Sequence, residues 1–217
     1  MGCLIERKKR LMNAEQDLPP WYKRVDYLVS IGQGAHIDTG VSGNDETLEF
    51  DITFYAESQV NYAGIMGNYV NSTTQAWRLI LGSNTTSVII NCFRQGGTSL
   101  YPSGGTSVGV KLRVHFNKSE ATVYDSGSYS KTPSGTAGSV NTGNIALGRF
   151  TITPNVSNPN TNRMRIYGCK IWSNNQLIRD YIPCVRSSDN LTGFWDRVNK
   201  TFTSSCSSYN FDYGNDT

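Results

Sequence analysis

Apolar and polar residues alternate with a period of two along much of the chain, which is the pattern of β-strands with one buried face. Every second residue from Leu48 to Phe54 is apolar, and the positions between them carry Glu49, Asp51 and Thr53. The pattern predicts a hairpin from each of three further pairs of segments, and a single strand from one more segment. The hairpins are 78–81 with 88–93, 108–116 with 121–124, and 164–172 with 177–184; the single strand is 144–150.

Turn-forming residues separate these segments. The chain of 217 residues contains 21 glycines and 7 prolines, and it is rich in Ser, Thr and Asn. Residues 18–217 are therefore predicted to form one all-β domain, a sandwich of two antiparallel sheets. Residues 1–17 carry the only helix-like pattern, which Pro19 and Pro20 end, and we expect a short helical or extended tail outside the domain.

Charge argues against a nucleic-acid partner. The formal net charge is only +3, and a basic run at 6–10 accounts for much of the excess. The remainder shows no basic stripe interleaved with aromatic residues. The sequence also has no apolar run of about 18 residues and no signal-peptide pattern at its start, so we expect no membrane span and synthesis in a cytoplasm.

The 5 cysteines have neither CxxC spacing nor a dense disulfide framework. We expect reduced, mostly buried thiols. Cys169 and Cys184 lie on neighbouring predicted strands, so whether they pair in an oxidising setting is left open at this stage.

The best enzymatic candidate is the pair Glu49 and Asp51, because residues two apart on a strand share one face and two carboxylates can cleave a glycosidic bond. No further acidic residue follows this pair on the strand, where some jelly-roll glycanases carry another Glu as the general acid. His36 and His115 are expected at strand positions, Asp38 is expected to bond backbone amides in a turn, and no Gly-x-Ser-x-Gly elbow is present. We therefore expect a protein that is not an enzyme and has no catalytic residues.

Several segments resemble laminin-G-like, concanavalin A-like jelly-roll modules found in phage tail, fibre and minor structural proteins. The segments that carry the resemblance are 27–40, 166–172, 179–184 and 193–202. The resemblance implies a jelly roll and a virion structural protein, in the head or tail fibre, a decoration or a receptor-binding component. It would display an outward lectin-like domain toward host surface glycans. A bacterial cell-surface adhesin and, below it, a glycoside hydrolase remain the alternatives.

In this interpretation residues 1–17 bind other virion proteins, and homo-oligomerisation is left open. Glycan binding requires exposed aromatic rings and nearby polar groups. Tyr69 and Tyr101 are the predicted carbohydrate-binding residues, chosen from a larger aromatic set: Tyr62, Tyr69, Trp77, Tyr101, Tyr129 and Trp172. Calcium is raised by the resemblance, with oxygen donors at 187–190, Asp196 and Asn199, but no specific calcium motif is present, so no metal site is predicted.

Overall fold

The structure is a computed structural model. It describes residues 18–30, 34–58, 63–68, 74–75, 77–82, 86–91, 97–102, 104–124, 129–131, 139–140, 142–149 and 163–216. The predicted tail at 1–17 lies outside the described residues, and so does Tyr69.

All regular structure in the described residues is β-structure. No helix there is long and apolar enough to cross a membrane. The strands are β1 (Tyr22–Arg24), β2 (Tyr27–Ser30), β3 (Ile37–Ser42), β4 (Glu49–Ala56), β5 (Gly64–Gly67), β6 (Thr74–Gln75), β7 (Arg78–Leu81), β8 (Val88–Asn91), β9 (Gly97–Leu100), β10 (Lys111–Phe116), β11 (Ala121–Tyr124), β12 (Tyr129–Lys131), β13 (Ser139–Val140), β14 (Asn144–Leu147), β15 (Met164–Ser173), β16 (Gln176–Arg186), β17 (Leu191–Asp196), β18 (Thr201–Ser204) and β19 (Asp212–Gly214).

Two antiparallel sheets contain most of these strands. The large sheet has eleven strands, with the order β12-β11-β10-β4-β15-β16-β17-β18, while β1 pairs with β16, and β2 pairs with both β15 and β19. The second sheet has six strands in the order β3-β14-β5-β7-β8-β9. A short parallel pair, β6 with β13, stands apart. The predicted all-β, two-sheet architecture is confirmed.

The three predicted hairpins are confirmed as β7–β8, β10–β11 and β15–β16. In the last, Asn174 and Asn175 form a two-residue loop in which both φ angles are positive, at 50° and 61°. Two positive φ angles give a type I′ turn, and its twist matches that of the strands it joins.

Some predicted boundaries were wrong. The prediction began a strand at 108, but β10 begins at Lys111 because Gly109 takes a left-handed φ of +75° that breaks the extended run. The strand predicted at 144–150 ends at Leu147, where Gly148 has a φ of +94°.

The core lies between the two sheets. In β4, Phe50, Ile52 and Phe54 are fully buried, whereas the alternating polar residues are partly exposed, as the period-two pattern predicts. Trp77 enters from the start of β7 in the opposite sheet. Its ring centroid lies 5.1 Å from that of Phe50 and 6.3 Å from that of Phe116, so it packs the two sheets together.

Cys169 and Cys184 are both buried and unpaired. Cys169 packs in the main core, whereas Cys184 packs with Ile182 and Trp195 in a small cluster. Cys169 is opposite Tyr181 in the ladder, and Cys184 is three residues beyond Tyr181. An odd separation reverses the face, so the two thiols lie on opposite sides of the sheet and the pairing left open above does not occur.

Candidate functional site

Charged side chains form a row across the outer face of the large sheet. The register sets this row: Asp51 of β4 is opposite His115 of β10 on one side and Lys170 of β15 on the other. Lys170 is in turn opposite Asp180 of β16. β4, β10 and the β15–β16 hairpin come from distant parts of the chain, and their pairing brings the polar residues of four strands together.

A cleft of about 520 Å³ opens over this row. Its lining includes Asp51, Arg113, Lys170, Trp172, Asp180 and Arg197. Trp172 is half-buried and is one of the residues that line the cleft. The cleft thus joins Trp172, and with it Tyr167 and Tyr181, to several hydrogen-bonding and charged groups.

The first fixed pair in the cleft is Asp51 with Arg113. The Arg113 Nε donates to both carboxylate oxygens of Asp51, at 2.9 and 3.0 Å, and Nη2 donates to Oδ2 at 2.5 Å. These hydrogen bonds raise the pKa of Arg113. The Asp51 side chain is only 12% exposed. A guanidinium held in this way fixes the carboxylate in one orientation.

The second fixed pair is Asp180 with Arg197. Arg197 donates to Asp180 Oδ2 from Nε at 3.1 Å and from Nη2 at 2.6 Å. The strand end is held by the buried Asp196, whose Oδ1 accepts hydrogen bonds from the backbone N–H groups of Asp180 and Val198, both at 3.0 Å. Both cleft carboxylates are therefore preorganised by arginines.

Lys170 lies between these two pairs and differs from them. It is exposed, and its ammonium makes no hydrogen bond or ion pair with the residues that the structure describes. The neighbouring carboxylates on either side are already engaged by Arg113 and Arg197. Lys170 is therefore a cation available to a ligand.

His115 lies between the two acidic residues of β4. Its Nε2 is 3.6 Å from Glu49 Oε1, and its Nδ1 is 4.0 Å from Asp51 Oδ2. Glu49 and Asp51 do share one face, as predicted, and His115 is in a strand, also as predicted. The imidazole lies between the two carboxylates and adds a polar side chain to the outer face of the sheet.

A second cleft, of about 370 Å³, lies at the end of the sheet where three turns meet. Its lining includes Glu46, Thr47, Glu49, Asn117, Lys118 and Asn174. Lys118 Nζ and Glu46 Oε2 are 2.8 Å apart and join two of the turns. Glu49 lines this cleft and is the cross-strand partner of Trp172, which lines the first cleft. The two clefts therefore adjoin.

The predicted binding residue Tyr101 is 51% exposed, in the segment that follows β9. It lines neither cleft. Tyr69 lies outside the described residues, as does Tyr62, and the Tyr129 side chain is not described either. Of the larger aromatic set, Trp77 is fully buried in the core, and Trp172 lies in the cleft.

The remaining candidates have structural roles. Asp38 lies in β3 and not in a turn as predicted, but its Oδ1 accepts a hydrogen bond from the Gly40 N–H at 2.8 Å, which confirms the predicted bond to a backbone amide. His36 is not in a strand as predicted: it is buried just before β3, and its Nδ1 lies 2.6 Å from the Gly34 carbonyl oxygen. Burial lowers the pKa of His36.

The two carboxylates among the oxygen donors considered for calcium, Asp189 and Asp196, are engaged with other residues. Arg186 binds both carboxylate oxygens of Asp189, at 3.0 and 2.7 Å. Asn199 Nδ2 donates to Asp196 Oδ2 at 2.6 Å. Within the described ranges, no group of three or more His, Cys, Asp or Glu residues is placed to hold a metal ion.

Sequence reasoning missed the charged residues that line the same cleft as Trp172, namely Arg113, Lys170, Asp180 and Arg197. The alternation of β10 and β15 placed Arg113 and Lys170 on polar faces, which was a usable signal. Beyond the predicted hairpins, the pattern did not reveal that β4 would lie between β10 and β15. No protein-family model matches the chain, and no curated protein matches it.

Proposed function

We propose that this protein is a carbohydrate-binding module and that the cleft over the outer face of the large sheet is its glycan site. The observation that carries the proposal is that the half-buried Trp172 lines one cleft together with the fixed pairs Asp51–Arg113 and Asp180–Arg197. An aromatic ring packs against the apolar face of a sugar, while fixed polar groups bond its hydroxyls. This combination supports a polar ligand with one apolar face.

The adjoining clefts support an extended ligand. Trp172 and Glu49 are cross-strand neighbours, and they lie where the two clefts meet. A glycan chain can run from the cleft at Trp172 toward the turns at Asn117 and Asn174. A single terminal sugar would use only part of this surface, so the proposed ligand is a polysaccharide or a longer oligosaccharide.

Binding without cleavage is part of the proposal. A glycosidase needs one carboxyl group as the acid and a second as nucleophile or base. Asp51 accepts three hydrogen bonds from Arg113, and Glu49 is close to His115. Such contacts suit a carboxylate that accepts hydrogen bonds from a ligand or a neighbour, and they leave Asp51 little freedom to exchange a proton with a substrate.

The finer fold assignment and the setting also belong to the proposal. We infer a concanavalin A-like jelly roll carried on a phage particle, with residues 1–17 as the docking segment. Long crossovers that place β4 beside β15 and β3 beside β14 support a Greek-key arrangement. The setting rests on the resemblance of the four sequence segments. Deletion of residues 1–17 should abolish incorporation into particles and leave glycan binding unchanged.

The binding proposal is tested by titrating the full chain calorimetrically with isolated bacterial surface polysaccharides, and by measuring new reducing ends in the same samples. Saturable heat without new reducing ends is expected. Release of reducing ends would make the glycoside hydrolase alternative correct. Absence of binding to every polysaccharide, by a chain shown to be folded, would contradict the carbohydrate-binding function.

A further inference from the structure

We propose that the cleft selects an acidic glycan, and that the Lys170 ammonium binds the carboxylate or phosphate group of the sugar. This inference rests on the proposed glycan-binding function and names the chemical class of its ligand. The juxtaposition that carries it is an exposed lysine, without a partner among the described residues, between two carboxylates that are each held by an arginine.

The charge balance of the cleft is the first argument. The described lining contains three cationic side chains, Arg113, Lys170 and Arg197, and two anionic ones, Asp51 and Asp180. Each aspartate is bound through two nitrogens of one arginine, so both pairs are internally neutral. One positive charge remains, on Lys170.

The cost of covering that charge is the second argument. In the open cleft the ammonium is solvated by water. A neutral polysaccharide lying over it would remove part of that water and leave a charge without a partner, which is unfavourable. An anionic group replaces the lost hydration with a charge-assisted hydrogen bond. The carboxylates of Asp51 and Asp180 cannot readily act as that anionic partner of Lys170, because Arg113 and Arg197 already bind them.

The position of Lys170 relative to Trp172 is the third argument. The two residues are separated by one position on β15, so their side chains share a face, with Cα atoms about 7 Å apart. A sugar ring packed on the indole can therefore place an acidic substituent within reach of the flexible lysine. Carboxylate and phosphate substituents present the same anionic oxygens, so the site recognises this shared chemistry.

The test compares a uronic-acid-bearing bacterial polysaccharide with its carboxyl-reduced derivative, which is neutral and otherwise matched, and includes a phosphate-bearing polysaccharide as a third probe. The full chain should bind the acidic form about tenfold more tightly than the reduced form. Lys170→Met should remove that difference, Lys170→Arg should retain it, and Lys23→Met, an exposed strand lysine that lines neither cleft, should behave as wild type.

The outcomes separate the two proposals. Equal binding of the acidic and reduced forms, or unchanged selectivity in Lys170→Met, would overturn the acidic-ligand inference and leave the glycan-binding function standing. Selective binding of the phosphate-bearing polysaccharide alone, lost in Lys170→Met, would support the inference and identify phosphate as the acidic group. Binding of none of the three probes would overturn both proposals.

Discussion

Trp172 of β15 and Glu49 of β4 are direct cross-strand partners, and each lines a different cleft of the outer face. Their pairing joins an aromatic surface over the sheet to a polar pocket between the turns. Side chains opposite each other in a ladder lie within contact distance and are fixed by the register of the sheet. The site is therefore built on rigid strands, and the turns at one end only extend it.

Tyr101 tests the prediction made from sequence. Its ring is exposed, but it lies outside both clefts. If Tyr69 and Tyr101 form the carbohydrate site, Tyr101→Ala will weaken polysaccharide binding about tenfold. If the cleft at Trp172 is the site, Tyr101→Ala will leave the dissociation constant unchanged. The structure favours the second outcome, and calorimetric titration measures it.

The Asp180–Arg197 pair is expected to stabilise the fold as well as the cleft. The Asp180 side chain is only 10% exposed, so Arg197→Met would leave a largely buried carboxylate without its guanidinium. We expect the free energy of unfolding in urea to fall by about 1–3 kcal/mol. As the control, Lys118→Met removes the exposed pair with Glu46 and should change stability by less than about 1 kcal/mol. Equal losses in the two variants would contradict this account.

His36 predicts a pH dependence of stability. Because burial lowers its pKa in the folded protein, the unfolded chain binds more protons as the pH falls below the ordinary histidine value of about 6.5. The free energy of unfolding should therefore fall from pH 7 toward pH 5 because of His36, and it should rise again as the pH is raised.

Urea unfolding of the wild type and of His36→Gln across that range checks the prediction. The substitution should reduce the slope of unfolding free energy against pH, whatever its effect on absolute stability. An unchanged slope would show that His36 does not control this dependence.

Cysteine reactivity should follow burial. Burial raises the pKa of Cys184 to about 12 and raises that of Cys169 as well. Neither thiol should react with iodoacetamide in the native protein, whereas Cys206, which is exposed although burial raises its pKa too, should react slowly. Peptide mass spectrometry assigns the labelled positions. A disulfide-linked peptide containing Cys169 and Cys184 in oxidised protein would contradict their placement on opposite faces of the sheet.

Local patterns predicted the strands well and the site poorly, for a physical reason. The alternation from Leu48 to Phe54 determines which residues of β4 are buried, because burial follows directly from period two. The cleft depends instead on β4 pairing with β15 and β10, whose residues are far apart in sequence. No local pattern reports that long-range register, so Asp51 and Arg113 could not be grouped from sequence with Lys170 and Asp180, which share the predicted β15–β16 hairpin.

Exposure of aromatic residues was equally hard to predict. Trp77 and Trp172 are both tryptophans at or near strand ends, yet one is in the core and the other is in the cleft. Trp77 is buried because Phe50 and Phe116 of the opposite sheet meet it. That contact forms only when the two sheets pack together, and the residues next to Trp77 in the sequence do not predict it.

Trp172→Ala provides the most direct test of the central claim, with Tyr209→Ala as the matched control because that exposed tyrosine lines neither cleft. Both variants and the wild type would be titrated with the polysaccharide that the wild type binds most tightly. The account predicts at least about tenfold weaker binding for Trp172→Ala and wild-type affinity for Tyr209→Ala. Wild-type affinity in a folded Trp172→Ala protein would show that the outer cleft is not the glycan site.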